Sequence, residues 1–246
     1  MTVIDTERTL ATLVTDHPSL ARDLERLGLD YCCGGDRSLA DACRERGLDP
    51  AAVADDLAAA VAADPGPEEW ATMGPAALVD HIERTHHAYL WDELPRIQAL
   101  ADKVTGVHGD RHPELKDVRA RFGELRADLE PHLRREELVL FPLIRRLAAG
   151  ERSGGTAPDA AGAATLPCGG SVRNPISVML ADHDRTGQLL DDLRGLTGGY
   201  APPTDGCASY RAYYRALAEL ETDTHLHVHK ENNLLFPAVL ELESAG

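Results

Sequence analysis

One motif occurs twice in this sequence, as HLRREELVLFP at residues 132–142 and as HVHKENNLLFP at residues 227–237. Residues four apart share a face of an α-helix, so His132 and Glu136 of the first copy present an imidazole and a carboxylate to one point. His227 and Glu231 do the same in the second copy, 95 residues later. A repeat of this kind predicts two related helical hairpins with polar groups at matching positions.

Apolar periodicity extends outward from both copies of the motif. Helical patterns cover residues 75–107, 112–149, 174–197 and 206–243, and together they predict an antiparallel four-helix bundle. The core-facing stripes run into each motif and continue beyond it, to Val139 and Leu143 in the second helix and to Leu234 and Ala238 in the fourth. The polar motif residues therefore occupy predicted core positions.

The first and third helices each add one histidine to the predicted core, His87 and His183. Together with the motif residues they make four imidazoles and two carboxylates, which are costly to bury unless they are paired or bind a metal. Imidazole and carboxylate suit iron, manganese or zinc, and we favour redox-active iron. Core histidines with satisfied hydrogen bonds, beside surface ion pairs, are the alternative interpretation.

The type of each side chain suggests its role in such a site. Glu136 and Glu231 are expected to bridge two iron ions, and the terminal ligands are expected to be His87, His132, His183 and His227. A bridging oxo or hydroxo group and a small exogenous molecule would take the remaining coordination positions. Three acids are candidates to orient an imidazole or a bound water from outside: Asp128, Asp182 and Asp223. Solvated helix acids are the alternative for Asp128 and Asp223.

The other seven histidines are expected to lie outside the metal site. His225 and His229 flank His227 at two residues, which directs them about 200° away on the helix. The pattern offers no matching partner for the rest, namely His17, His81, His86, His108 and His112. His86 stays open because it is adjacent to His87.

A small helical domain at residues 1–66 is predicted to precede the bundle at residues 67–246, with a linker that starts at residues 64–67. Its sequence DYCCGGD at residues 30–36 predicts a turn whose glycines let the backbone approach a neighbour closely. Cys32 and Cys33 are expected to be reactive or metal-facing thiols, with small buried hydrophobes as the alternative. The remaining cysteines are interpreted as incidental: Cys43, Cys168 and Cys207.

The composition of the chain excludes some classes of binding partner. The chain has 246 residues, and its 41 acidic against 25 basic side chains give a formal charge of −16, which repels nucleic acid. No apolar run approaches the ~18 residues of a membrane span, and no signal pattern begins the chain. A cytoplasmic protein without nucleic-acid or membrane partners is therefore expected.

The DYCCGG motif in a short helical module, followed by a bundle with two His-x-x-x-Glu and Leu-Phe-Pro motifs, resembles the iron-sulfur cluster repair di-iron proteins of the RIC, or YtfE/ScdA, type. The resemblance spans residues from about Leu10 to Leu240. It implies an N-terminal ScdA-type domain and a hemerythrin-like di-iron domain. It also implies a cytoplasmic role in restoring clusters damaged by nitric oxide or oxidative stress.

Within that role two mechanisms stay open: release of iron to a damaged cluster, or reduction of nitric oxide at the metal site. The expected partners are damaged iron-sulfur proteins and the small molecules NO or O2, with the electron donor unassigned. Reversible O2 or NO binding or sensing without turnover is the alternative function, and a zinc-bearing structural protein is a third. A homodimer through the small domain is a further expectation.

Overall fold

A computed structural model describes residues 3–61, 69–150 and 171–245 of the chain. Within these ranges the chain forms α-helices, short 3₁₀ and π segments and the turns between them, without a β-strand. The prediction of an all-α fold is confirmed. The predicted linker at residues 64–67, nearly all of the loop at residues 150–170, and Cys168 lie outside the described residues.

Four short helices form the N-terminal module: α1 (Leu10–Asp16), α2 (Ala21–Leu27), α3 (Leu39–Glu45) and α4 (Pro50–Val61). Thr9 and Ser38 cap α1 and α3, because their side-chain oxygens accept hydrogen bonds from first-turn N–H groups. Gly28 ends α2 in the left-handed conformation with φ 68°, a conformation that favours glycine. The leucine periodicity of the sequence supplies the core of this module.

Four long helices form the bundle. The first is α5 (Pro75–Ile82) continued by α6 (Ala88–His108), and the second is α7 (Glu114–Arg135) continued by α8 (Phe141–Ala148). The third is α9 (Arg173–Leu196), and the fourth is α10 (Ala208–Lys230) continued by α11 (Phe236–Ala245). α7 packs against α6 and α9, and α10 packs against α6. These bounds agree with the four predicted helical patterns to within about two residues.

Three of the long helices contain a π-helical turn, at Glu83–His87, Glu136–Leu140 and Glu231–Leu235. The last two are followed by a Phe-Pro pair. Pro142 and Pro237 have no N–H, and in a regular α-helix the proline ring clashes with the carbonyl four residues earlier. A π turn, whose hydrogen bonds span five residues, relieves that clash without ending the helix.

Each π turn shifts the buried face of its helix by one position. Leu140, Leu235 and Val239 are buried, whereas the predicted core residues Val139, Leu234 and Ala238 are only partly buried. The predicted stripe is therefore wrong at Val139, Leu234 and Ala238 and right at Leu143, which is buried. A constant period of 3.6 residues does not count the extra residue of a π turn.

Two apolar clusters fill the bundle, one on each side of the motif level. One includes Phe122 and Tyr213 and is built from α6, α7, α9 and α10; the other includes Phe141 and is built mainly from α5, α8, α9 and α11. The core of the N-terminal module includes Val228 of α10, so the module packs directly on the fourth long helix. Among the described helices, none combines the length and apolarity that crossing a lipid bilayer requires.

Candidate metal centre

The structure brings the six predicted ligands together in the middle of the bundle. The Nε2 atoms of His87 and His227 lie 3.2 Å apart, and those of His132 and His183 are also 3.2 Å apart. The six residues form two groups of four whose ligand atoms lie within 4.8 Å of one another: His87, Glu136, His227 and Glu231, and His132, Glu136, His183 and Glu231. All six side chains are buried.

Glu136 and Glu231 belong to both groups. Both are fully buried, and none of their carboxylate oxygens makes a hydrogen bond with a described residue. Four imidazole Nε2 atoms lie 3.1 to 3.4 Å from these carboxylates. Buried carboxylates whose only nearby donors are poorly aligned imidazoles are costly, and a cation shared between the two groups satisfies them and the imidazoles together. The donor set therefore fits a pair of metal ions.

The electrostatics of the six residues point the same way. Burial and the neighbouring Glu231 oppose ionisation of Glu136, but His132 outweighs them and lowers its pKa. Burial disfavours the charged imidazole of His132, but the charge of Glu136 and a hydrogen bond to Asp182 raise its pKa to about 10. Without a metal, the carboxylates therefore stay ionised and hold protons on nearby imidazoles. A metal cation would replace those protons.

Three of the four imidazoles are oriented through their outer nitrogen. His87 Nδ1 donates to Glu137 Oε1 at 3.0 Å, and His183 Nδ1 donates to Asn232 Oδ1 at 2.7 Å. His132 Nδ1 lies 3.4 Å from Asp182 Oδ2, an acid that the sequence singles out. Such contacts fix the ring and its tautomer, which leaves Nε2 free to bind a metal.

Glu137 and Asn232 contact predicted ligands but are not among the residues predicted from the sequence. They occupy equivalent positions of the two motif copies, each one residue after a glutamate that is predicted to bridge two metal ions. Each supports the histidine of the preceding long helix, His87 or His183. The repeat itself was the signal that could have found them, because a polar side chain follows the glutamate in both copies.

Asp128 and Asp223, two of the three acids expected to orient an imidazole or a bound water, have their hydrogen-bond partners outside the six predicted ligands. Asp128 forms an ion pair with Arg185 of α9, on the partly exposed side of α7. Asp223 accepts a hydrogen bond from His86 Nδ1 at 2.8 Å, and the His86 ring lies nearly parallel to that of His227. A side chain one helical turn before a ligand lies further along the helix than the ligand does. There a residue of a neighbouring helix is closer to it than the ligand is.

His86 and Lys230 form a buried polar pair beside the centre. Lys230 Nζ donates to His86 Nε2 at 2.8 Å and to His81 Nε2 at 3.0 Å, and lies 4.8 Å from the centre of the Trp70 ring. Burial and the charge of Lys230 keep the pKa of His86 well below its usual range. His86, which the sequence leaves open, is therefore a neutral neighbour of the predicted ligand His227.

The two histidines that flank His227 lie away from the centre, as their spacing predicts, and they contact the N-terminal module. His225 lies 3.4 Å from Glu25, whose carboxylate also accepts from Tyr31. His229 is buried, with its Nε2 3.2 Å from Thr15 Oγ1. Residues on α10 that do not face the centre thus hold the module in place. At the far end of the bundle, His108 lies 3.2 Å from the Cys207 thiol.

The DYCC loop is fixed on this same surface. Asn232 Nδ2 donates to the Cys32 carbonyl at 3.3 Å, and Asn233 Nδ2 donates to it at 3.1 Å. A Cβ at Gly35 would lie 2.4 Å from the Tyr31 carbonyl and 3.0 Å from Asn233 Oδ1, so only glycine fits there. Cys32 is buried and Cys33 is half-buried.

Comparison with known proteins agrees with this arrangement. Residues 78–160 and 168–239 match the hemerythrin HHE cation-binding domain, and residues 6–61 match ScdA_N, described as a domain of unknown function (DUF542). An iron-sulfur cluster repair protein ScdA from Staphylococcus haemolyticus is 30% identical over 234 residues, which cover 95% of this chain and 98% of that protein.

The chain belongs to the ScdA/YtfE family of iron-sulfur cluster repair proteins. Family members named YtfE from Musicola paradisiaca and Escherichia coli O157:H7 are 33% and 31% identical to it, over 97% and 95% of the chain and 98% and 97% of their own lengths. The hemerythrin-like domain of this ScdA/YtfE member is of a metal-binding class, and its buried His and Glu clusters could hold metal.

Proposed function

We propose that this protein is a non-haem di-iron protein that repairs iron-sulfur clusters damaged by nitric oxide or oxidative stress. The observation that carries the proposal is the pair of four-residue groups that share Glu136 and Glu231. The curated relatives, named as repair proteins over nearly their full length, support the role. Repair would proceed by donation of iron, by reduction of nitric oxide, or by both.

In this proposal Glu136 and Glu231 bridge two iron ions, and each ion also takes two imidazoles, from His87 and His227 or from His132 and His183. Bound iron would supply one-electron chemistry and open positions for NO or O2. Six protein ligands leave room for a bridging oxygen and for one small molecule.

The residues around the six predicted ligands exclude water from the site and orient its imidazole rings. The apolar clusters above and below it exclude bulk water, which strengthens every electrostatic interaction at the centre. Glu137, Asp182 and Asn232 hold three imidazole rings with Nε2 directed inward. Because Glu137 and Asp182 carry charge, they also increase the basicity of the rings they contact.

The test is anaerobic and uses the full chain. The purified, reduced protein is loaded with Fe²⁺, iron per chain is counted, nitric oxide is added with a reductant, and nitrous oxide is followed in the headspace. We expect about two irons per chain. Many turnovers would assign nitric oxide reduction, and stable NO binding followed by reactivation of a damaged iron-sulfur enzyme would assign iron donation.

Two variants on the same long helix serve as loss and control. Glu136→Leu removes a bridging carboxylate and is expected to lose iron and both activities. Asp128→Asn, which changes an acid paired with Arg185 outside the centre, is expected to keep them. Stable NO binding without turnover or cluster reactivation would overturn repair in favour of sensing, and a colourless zinc site without redox change would exclude both.

The cellular setting is part of the proposal. We place the protein in the cytoplasm, with damaged iron-sulfur proteins as clients, no nucleic-acid partner and an electron donor still to be identified. A homodimer through the small domain stays a prediction. The net charge of −16 supports the absence of a nucleic-acid partner.

A further inference from the structure

A second cluster of metal-binding side chains lies in the N-terminal module, outside the six-residue centre. A carboxylate oxygen of Asp30 and the Sγ atoms of Cys32 and Cys33 lie within 4.8 Å of one another. Cys32 Sγ is 3.2 Å from Asp30 Oδ1 and 3.9 Å from Cys33 Sγ. Three groups that each bind metal as anions therefore meet at one point.

The loop backbone holds this cluster in shape. Asp30 Oδ1 accepts from the N–H groups of Cys32 and Cys33, and Oδ2 accepts from the N–H of Gly34, all at 3.0 Å. Asn233 and Gly35 fix the same loop on the bundle, as described above. Because the three side chains are already positioned, a ligand that bridges them loses little of its affinity to ordering them.

The cluster opens into a cavity of about 360 Å³ between the module and α9. Both cysteines and Asp30 line it, and the wall adds three more carboxylates, from Glu25, Asp184 and Asp191. Against these stand the guanidinium groups of Arg46 and Arg194 and the imidazole of His225, which lies 3.4 Å from Glu25. Arg194 is committed to an ion pair with Glu221. The cavity is therefore negative overall and favours a cation over an anion.

We propose that Asp30, Cys32 and Cys33 form a third cation site, which takes a thiophilic divalent ion such as Fe²⁺ from the cavity. Two thiolates and one carboxylate suit a borderline ion better than Mg²⁺ or Ca²⁺, which prefer oxygen. Three protein ligands leave a coordination position open to the cavity, so the ion is exchangeable. A role of this site in passing iron to a client rests on the proposed iron donation; binding of the ion does not.

Ion binding here is an exchange of protons for metal without oxidation or reduction. The hydrogen bond to Cys33, burial and the charge of Asp30 hold the pKa of Cys32 well above its usual range, so Cys32 keeps its proton until an ion replaces it. Each S–H bond breaks, its proton leaves to solvent, and the sulfur donates the same electron pair to the ion. The closely spaced carboxylate that disfavours a bare thiolate attracts the cation instead.

The site also lies one side chain away from the proposed di-iron centre. Asn232 donates to the carbonyl of Cys32 and accepts from His183 Nδ1. An ion held by the loop would therefore lie in the cavity wall, one side chain away from the predicted ligand His183.

The test uses Co²⁺ as a spectroscopic probe on the full chain. Two equivalents of Fe²⁺ per chain are first added under anaerobic, reducing conditions to fill the bundle site, and gel filtration removes iron held exchangeably at the loop. We expect one further equivalent of Co²⁺ to bind, with a thiolate-to-cobalt charge-transfer band and the release of about two protons. Cys32→Ser and Cys33→Ser should each lose the band. Asp30→Asn, which can still accept from the N–H groups of Cys32 and Cys33 but loses the acceptor of the Gly34 N–H, should weaken Co²⁺ binding about tenfold.

The matched control is Cys207→Ser, which removes an exposed thiol at the start of α10 and should leave the Co²⁺ band unchanged. Iron counted before Co²⁺ is added reports separately on the six-residue centre, so failure of the proposed function and failure of this site are distinguishable. Absence of a third equivalent, or a band that persists in Cys32→Ser and Cys33→Ser while their iron content is normal, would overturn the proposal.

Discussion

The two copies of the motif hold equivalent predicted ligands but have different surroundings. In the first copy, the residues between and after the ligands are exposed: Arg134, Arg135 and Leu138. At the equivalent positions of the second copy, His229 and Lys230 are buried and Asn233 is partly buried. The first copy faces solvent on its outer side, and the second faces the N-terminal module and the Trp70 segment.

This difference shows which contacts of a helix follow from the spacing of its residues and which do not. His-x-x-x-Glu places an imidazole and a carboxylate on one face in both copies, whatever surrounds them. The outer face has no such constraint. In the second copy it provides the contacts for the cysteine loop, so one helix carries both a pair of predicted ligands and a docking surface.

The largest effect is expected from removing either shared carboxylate. Glu136→Leu and Glu231→Leu should each lose both metal ions, because each glutamate belongs to both groups of four. Metal per chain, measured after gel filtration, checks this. Retention of one full equivalent in either variant would show that the two metal positions do not share that glutamate.

The next largest effect is expected from removing the side chains that orient His87 and His183, and it should differ between the two. Glu137→Ala is expected to weaken metal binding about 100-fold and Asn232→Ala about tenfold, because a carboxylate polarises the His87 ring more than an amide polarises the His183 ring. Competition with a chelator of known affinity measures both. Equal losses would mean that orientation alone matters and that the charge of Glu137 does not.

In the metal-free protein, the pKa values of the two motif histidines, His132 and His227, should be shifted in opposite directions. The pKa of His132 is raised to about 10, whereas burial and the proximity of His87 lower that of His227. The proton on His132 therefore stabilises the metal-free fold fully below pH 6.5 and loses this effect as the pH rises through about 10.

For His227 the sign is reversed. Because the folded state resists protonation of this imidazole, the metal-free protein loses stability as the pH falls below 6.5. Imidazole ¹⁵N NMR of the metal-free protein at about pH 8 should show His132 charged and His227 neutral. Metal uptake should strengthen with rising pH because protons leave His132 and His87. Two neutral rings at that pH would contradict the assignment of Glu136 and Asp182 as the source of the His132 shift.

The smallest effect is expected at Leu138 and Asn233, which occupy equivalent positions in the two copies of the motif. Asn233→Ala removes its hydrogen bonds to the carbonyls of Tyr31 and Cys32, while Asn232 still donates to the Cys32 carbonyl, and should lower the free energy of unfolding by about 1 kcal/mol. Leu138→Ala, at the exposed equivalent position, should change it by less than about 0.5 kcal/mol. Urea denaturation measures both, and equal values would mean that the docking contacts contribute nothing to stability.

Much of this architecture follows from local sequence patterns. The four long helices follow from apolar periodicity, and the convergence of six polar side chains follows from their positions on those stripes. The register after each motif could not be predicted in the same way, because the π turn before Pro142 or Pro237 adds a residue that a fixed period does not include. A Phe-Pro pair inside a helical pattern is the warning sign.

The docking of the N-terminal module could not be predicted from the sequence either. His225 and His229 have an unremarkable spacing, and their contacts depend on side chains such as Glu25 and Thr15 from another part of the chain. The partners of Asp128 and Asp223 could not be predicted for a related reason. Their partners, Arg185 and His86, come from neighbouring helices.

The contact between the Cys32 carbonyl and Asn232 joins positions 200 residues apart, so it also sets the order of events during synthesis. The helices of the N-terminal module make local contacts and can form as soon as they leave the ribosome. At about 5–20 residues per second, the surface that receives them follows about 10–40 s later. During that interval the helices of the module can pack against Cys32, but the side chains of Asn232 and Asn233 that hold the cysteine loop on the bundle have not yet been made.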